Sequence, residues 1–283
     1  MLKKLITAGI IAGSLLTFQV QAEDRALLIG VGHYQNPRFD LPGIDLDINM
    51  MKKAISLMGF DSSKVLLNEQ ATLNNVTHTM KDYLVNGVSA DDRILIYYSG
   101  HGTHIPDSNN DEADGVDEVL TMHDMKPTKL NGKPSLANVL VDDTFNAILK
   151  KIPSKNILVL IDACNSGTAT KALSSGSILG NDLETQNKSF TYSGMPVVIK
   201  GNFMAKQNKQ TDHYVAISAA GDAESSIATS KGSLFTLGLL STLNKAAKNQ
   251  SPLTVTALKD STVNFVRKEN KNNKPFTPRL SGS

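Results

Sequence analysis

Cys164 is the single cysteine among 283 residues, and its neighbours decide whether it is reactive. A thiol becomes a nucleophile when it ionises, and an imidazole beside it both stabilises the thiolate and protonates a departing amine. His101 stands in Ser99-Gly100-His101-Gly102, and Cys164 in Asp162-Ala163-Cys164-Asn165-Ser166-Gly167. The chemistry such a pair performs is acyl transfer. It needs main-chain donors for the oxyanion; the N–H groups of Gly102 and Cys164 are candidates, Gly102 because no side chain blocks its approach. The bland reading of a lone cysteine is a small buried hydrophobe. His33, His78, His104, His123 and His213 share no zinc-ligand spacing with it.

Both loops follow continuous apolar runs, which read as buried strands. Strands are expected near 26–31, 64–67, 93–98, 156–161 and 214–218, and helices over 45–58, 72–84, 142–150, 233–247 and 254–268. This alternation predicts an α/β protein, a three-layer α/β/α sandwich with a mostly parallel central sheet. Ligand sites of such sheets form at the carboxyl ends of the strands, so His101 and Cys164 are expected at one edge. Two polar segments without periodicity, 107–135 and 171–212, are expected to interrupt the core, the second as a long flexible insertion.

Residues 1–22 begin with Lys3 and Lys4, continue through an apolar run and end Val20-Gln21-Ala22, the pattern of a secretory signal cleaved near Ala22. The run is too short for a membrane anchor. An exported, periplasmic or secreted protein is expected. The chain carries 29 basic and 27 acidic residues; loss of Lys3 and Lys4 leaves 27 of each, and so neutral a chain offers no broad nucleic-acid or membrane surface. Exported proteins usually pair their cysteines, and one cysteine has no partner within this sequence.

Tyr97-Tyr98-Ser99-Gly100-His101-Gly102 and Leu160-Ile161-Asp162-Ala163-Cys164-Asn165-Ser166-Gly167 resemble the His and Cys motifs of the caspase-like cysteine peptidases, and most of all the metacaspase branch in its bacterial form. Arg25 to Gly30, Leu41-Pro42-Gly43 with Asp47, and Pro278-Arg279-Leu280-Ser281 extend the likeness over nearly all of residues 23–283. The resemblance implies one peptidase domain, with a large-subunit-like part at 23–170, the insertion at 171–212 and a small-subunit-like part at 213–283. It implies a monomeric cysteine endopeptidase with Cys164 as nucleophile and His101 as general acid/base. Asn165 stands where the family often carries His, a position that is not the general acid.

At the end of an extended strand, residues i and i+2 face one side, which sets the Asp162 carboxylate beside the Cys164 sulfur. There it raises the thiol pKa unless it serves another purpose, such as holding a cationic P1 side chain. The resemblance adds Asp47 and Asp222 to this S1 pocket and implies peptide or protein substrates cleaved after Arg or Lys; from spacing alone, Asp47 reads as a solvated helix residue and Asp222 as a turn. A protease of this specificity could cut itself in the lysine-bearing 171–212 segment. No cofactor is needed for the chemistry. Calcium is raised by the acidic loop Asp107, Asp111, Asp114, Asp117 and Glu118, whose hard oxygen ligands suit that ion, and the resemblance adds the paired Asp142-Asp143 as further ligands. Against it, Glu112 occupies the position where an EF-hand loop starting at Asp107 requires Gly, Lys171 falls where the family completes its acidic set, and an Asp at 142 or 143 suits a helix N-cap. Two readings compete with the peptidase: a catalytically silent peptide-binding module and an extracytoplasmic calcium-binding structural protein.

Overall fold

A computed structural model of the chain describes residues 23–60, 62–109, 111–112, 115–163, 186–187, 214–219, 226–229, 231–270 and 279–281. The apolar runs form β1 (Arg25–Gly30), β2 (Ser62–Leu67), β3 (Arg93–Ser99), β7 (Asn156–Asp162) and β9 (Tyr214–Ser218). With β12 (Arg279–Ser281) they make one six-stranded sheet in the order β12-β9-β7-β3-β1-β2, parallel except for the antiparallel β12.

Strand periodicity sorts the side chains into two cores. Leu27, Ile29, Ile94, Ile96, Tyr98, Val159 and Ile161 enter the first, together with Val76, Met80 and Leu84 of α2 (Leu73–Leu84) and Phe145 and Ile148 of α3 (Asp142–Leu149). Ala26, Leu28, Leu95, Tyr97 and Leu160 enter the second, with Ile48 and Met51 of α1 (Ile44–Leu57), Phe235 and Leu239 of α4 (Leu234–Lys248), and Leu258 and Val266 of α5 (Val255–Glu269). Each of the large apolar side chains so buried contributes about 1.5–3 kcal/mol. The three-layer α/β/α sandwich is therefore present, with each expected strand and helix in place to within three residues.

Side chains cap these helices where the sequence offers them. Thr72 Oγ1 accepts from Asn75 N at 3.3 Å, Thr254 Oγ1 from Ala257 N at 3.1 Å, and Ser233 Oγ from Phe235 N at 3.2 Å. Gly43 opens α1 with φ 82°, and a Cβ there would lie 2.5 Å from the Thr229 carbonyl oxygen. Asp142 and Asp143 occupy the first turn of α3, whose N-cap is Val141, so neither is the cap residue.

The expectation for 107–135 needs correction. Most of it belongs to an antiparallel sheet of β4 (Gly102–Pro106), β5 (Val116–Leu130) and β6 (Lys133–Val141). Val119, Leu120, Met122 and Met125 are buried in the first core. The alternation is hidden because the register slips between Thr121 and Lys126, where Asn138, at φ 58°, donates from Nδ2 to the Asp124 carbonyl at 3.0 Å.

Only 186–187 of the 171–212 insertion falls within the described residues, as β8 (Gln186–Asn187) in a small sheet with β10 (Ile227–Thr229) and β11 (Gly232–Ser233). At the other end, the Glu23 N–H donates to Asp92 Oδ1 at 3.0 Å, and Arg93 donates from Nε to Asp24 Oδ2 at 2.8 Å and from its terminal nitrogens to the carbonyls of Met58 and Gly59 at 3.0 Å. Among the described residues no helix is long and apolar enough to cross a membrane.

Candidate active site

β3 and β7 are neighbours in register, with Ser99 opposite Asp162 at their carboxyl ends. The loops bearing His101 and Cys164 thus leave the sheet side by side. Cys164, Asp222 and Asp114 lie outside the described residues; His101, Gly102, Asp47, Asp162, Asp117, Asp142 and Asp143 lie within them.

His101 is buried and held from several directions. Its Nε2 is 2.9 Å from the Phe39 carbonyl oxygen. A carbonyl only accepts, so the neutral ring carries its proton on Nε2, and Nδ1 is left as the basic nitrogen. The His101 backbone N–H donates to the Tyr34 hydroxyl at 3.2 Å, and the Tyr34 ring lies 5.5 Å from the imidazole, centroid to centroid. Burial pushes the Tyr34 hydroxyl pKa up to about 12, although hydrogen bonds to Thr121, His101 and Tyr98 favour its ionised form, so it stays neutral wherever the imidazole titrates.

The His101 carbonyl accepts from Thr121 N at 3.1 Å and from Tyr98 OH at 2.8 Å, and the same phenol is 2.7 Å from the Thr121 carbonyl. Gly100 owes its identity to this phenol, because a Cβ there would overlap the hydroxyl. Gly102 opens β4 opposite Leu120. Tyr98→Phe removes the one hydroxyl proton that the two buried carbonyls share, while His101 O keeps Thr121 N and Thr121 Oγ1 as donors. It is expected to cost about 1–3 kcal/mol, read as a lower urea midpoint with unchanged slope.

On the opposite face, period two carries Tyr97, Ser99 and Asp162 toward α1 and α4. Asp47, fully buried on α1, accepts the Ser99 hydroxyl on Oδ2 at 2.8 Å and the Ser233 N–H on Oδ1 at 2.6 Å. The reading of Asp47 as a solvated helix residue is excluded. Asp162, also fully buried, accepts Ser226 Oγ on Oδ1 at 2.5 Å and Thr236 Oγ1 on Oδ2 at 2.7 Å. Tyr97 OH is 2.6 Å from Thr236 Oγ1, and its pKa is driven well above the usual phenol value by burial and then by the charges of Asp47 and Asp162. The two carboxylates therefore share one neighbourhood. Hydroxyl and amide donors orient a carboxylate without supplying a countercharge.

Of the acidic loop residues, Asp107, Asp111 and Asp117 bring one carboxylate oxygen each within 4.8 Å of one another. Asp143 joins their edge through Asn109 Nδ2, at 2.9 Å. Asp142 is buried in the first turn of α3. Burial, followed by the charges of Asp107 and Asp143, raises the Asp117 pKa against the pull of Ser108 hydrogen bonds.

Sequence reasoning missed the Phe39 carbonyl, Tyr34, and the donors Ser99, Ser226, Ser233 and Thr236. Ser99 alone carried a usable signal, since it lies in the His motif two residues beyond Tyr97.

The likeness to known proteins agrees with this fold. Among solved structures, the fold is similar to a protein of Geobacter sulfurreducens, with TM-score 0.64, 20% identity and coverage of 92% of this chain and 93% of that one. It is also similar to caspase-1 of Spodoptera frugiperda, with TM-score 0.60, 14% identity and coverage of 92% and 86%. By sequence the chain is 34% identical over 160 residues to metacaspase-2 of Arabidopsis thaliana, covering 53% of this chain and 36% of the relative. It is 28% identical over 213 residues to metacaspase-1 of Schizosaccharomyces pombe, covering 71% and 44%. It spans less than half the length of these curated relatives. Residues 23–279 match the family described as the caspase domain, peptidase C14, and the chain belongs to that family.

Proposed function

We propose that the chain is an exported cysteine endopeptidase that cleaves after Arg or Lys, with Cys164 as nucleophile, His101 as general acid/base and Asp47, Asp162 and Asp222 lining S1. The observation that carries this reading is the pair of buried carboxylates, Asp47 and Asp162, brought from α1 and β7 to the strand ends that bear the His and Cys loops. Two consecutive peptide units limit the Cα of Cys164 to about 7 Å from that of Asp162, so a side chain seated on Asp162 presents its own carbonyl near the sulfur.

The thiolate attacks the scissile carbonyl carbon and forms the C–S bond, while N–H groups at Gly102 and Cys164 hold the oxyanion. As the C–N bond breaks, the His101 imidazolium gives its proton to the leaving amine. Water, deprotonated by the same imidazole, then attacks the thioester and returns the thiol. Cuts in the lysine-bearing 171–212 segment are the self-processing this specificity allows. Calcium is assigned to the acidic loop: the hard carboxylates of Asp107, Asp111 and Asp117, with Asp143 beside them, are a like-charged donor set whose repulsion a divalent cation relieves.

Fluorogenic peptides with Arg, Lys or Asp at P1 test the reading, using wild type and Cys164→Ala with and without calcium, each followed by intact mass. Turnover after Arg and Lys that vanishes in Cys164→Ala is expected, with chain cleavage in wild type alone and a calcium-dependent rise in Tm in both. Turnover after Asp would overturn the S1 assignment, and silence of folded protein in every condition would favour a peptide-binding module.

A further inference from the structure

Both the side chain and the backbone N–H of His101 are held by one short stretch, residues 33–40, between β1 and α1. Phe39 supplies the carbonyl on Nε2, and Tyr34 supplies the hydroxyl on the backbone N–H and the ring against the imidazole. Only a single 3₁₀ turn, Pro37–Phe39, gives this stretch regular structure. Something else must fix the distance between Tyr34 and Phe39.

Asp40 is the tie. Its Oδ1 accepts the Tyr34 N–H at 2.9 Å, its Oδ2 meets His33 Nδ1 at 3.1 Å, and its own N–H reaches the Pro37 carbonyl at 3.2 Å. The next residue closes the loop, with Leu41 N–H on the Gly32 carbonyl at 2.8 Å. One carboxylate, adjacent in the chain to the carbonyl that orients the imidazole, thus fastens the residue that packs against that imidazole.

We propose that Asp40 is a positioning residue for His101, acting through Phe39 and Tyr34, and that its ion pair with His33 makes this positioning respond to pH. The proposal rests on the reading of His101 as acid/base. Phe39 and Tyr34 sit on opposite sides of the ring's proton inventory: one fixes which nitrogen carries the proton, the other fixes the ring plane. Loosening the tie lets both drift, and a drift of an ångström at a catalytic group costs up to about 100-fold in rate.

The groups around His33 set the pH response. Asp40 faces it from the loop, Asp45 from α1 and Glu69 from the turn after β2, while His123 of β5 places Nδ1 2.7 Å from the His33 carbonyl oxygen. The hydrogen bond to Asp40 is the largest influence and raises the His33 pKa; burial opposes it, and the charges of Asp40, Asp45 and Glu69 add to the rise. Because the folded value is raised, the charged tie is complete below the ordinary histidine pKa and is lost as pH climbs through the raised one. The Asp40 to Tyr34 bond persists on both sides of that step. The His33 side chain is 58% exposed, so bulk proton concentration reaches it directly.

The test uses the full chain as wild type, Asp40→Ala, Asp40→Asn and His33→Gln, with two readouts. One is the His101 tautomer, from two-bond proton–nitrogen correlations of the imidazole; the other is kcat and KM on an Arg-P1 peptide across pH. In Asp40→Ala, kcat is expected to fall about 10-fold with KM within twofold, and the Nε2–H tautomer to give way to a mixture. Asp40→Asn keeps an oxygen for the Tyr34 N–H and restores both readouts, and His33→Gln removes the part of the kcat profile that follows the raised His33 pKa while sparing the tautomer and the part due to His101. A wild-type kcat and tautomer in Asp40→Ala overturns the proposal, as does an equal loss in Asp40→Ala and Asp40→Asn with the tautomer unmoved. If wild type cleaves no peptide yet Asp40→Ala shifts the tautomer, the peptidase reading falls and the positioning role stands.

Discussion

Replacing His101 with alanine is expected to lower kcat/KM about 10³-fold, within the range general acid/base catalysis supplies, while the fold survives. The bonds at this residue divide cleanly. The carbonyl that accepts from Tyr98 and Thr121 and the N–H that meets Tyr34 belong to the main chain and remain in the variant. Among the described residues, the Nε2 contact to Phe39 and the packing on the Tyr34 ring disappear, and losing that hydrogen bond should cost about 1 kcal/mol. Turnover of an Arg-P1 peptide and the urea midpoint measure the two effects separately. Added imidazole should return part of the rate by occupying the vacated volume, and a variant that keeps the wild-type rate would remove His101 from the chemistry.

Asp162→Asn is expected to have the second large effect, with two readouts that move in opposite directions. Cleavage after Arg should fall about 100-fold or more, the scale for losing one partner of a buried charge pair. Stability should change little, since an asparagine oxygen still accepts one hydroxyl and the other hydroxyl rotates to accept from the amide. The thiol should become easier to ionise, because a negative charge two residues away has been removed. Cys164 is the only cysteine, so alkylation by iodoacetamide reports on it without mapping, and its midpoint should move to lower pH. Asp162→Ala instead leaves the Ser226 and Thr236 hydroxyls short of an acceptor and should cost about 1–3 kcal/mol. Unimpaired cleavage after Arg in Asp162→Asn would exclude this carboxylate from S1.

The parts of the molecule that could be read in advance are those whose pattern repeats. β1, β3 and β7 lie buried on both faces and show as unbroken apolar runs; the helices show their 3.6-residue stripe and, at Thr72, Thr254 and Ser233, their caps. The β5–β6 hairpin was missed because its register slip breaks the alternation and its outer half, with Lys126, Lys129 and Lys133, faces water. In the site, residue types announced His101, but its orienting partner is a carbonyl, which every residue has and no sequence can flag. Asp47 looked solvated because an acid on an amphipathic helix is ordinary; the packing of α1 against β1 and β3, with Ser99 and Ser233 on its carboxylate, makes it interior. Thr236 and Ser226 are common residues whose role exists only once α4 and the 226–229 segment meet Asp162.

The contact between Glu23 and Asp92 carries a meaning of its own. Asp92 is buried and takes the Glu23 N–H alongside the Ser89 N–H and hydroxyl. Burial alone would raise its pKa, yet these donors and the charge of Arg25 hold it below the usual value. In the uncut chain the donor at residue 23 is an ordinary amide. In the exported form proposed above, a cut after Ala22 would turn the same nitrogen into an α-ammonium 3.0 Å from a carboxylate, so that maturation of the chain end would write an ion pair into the foot of the sheet.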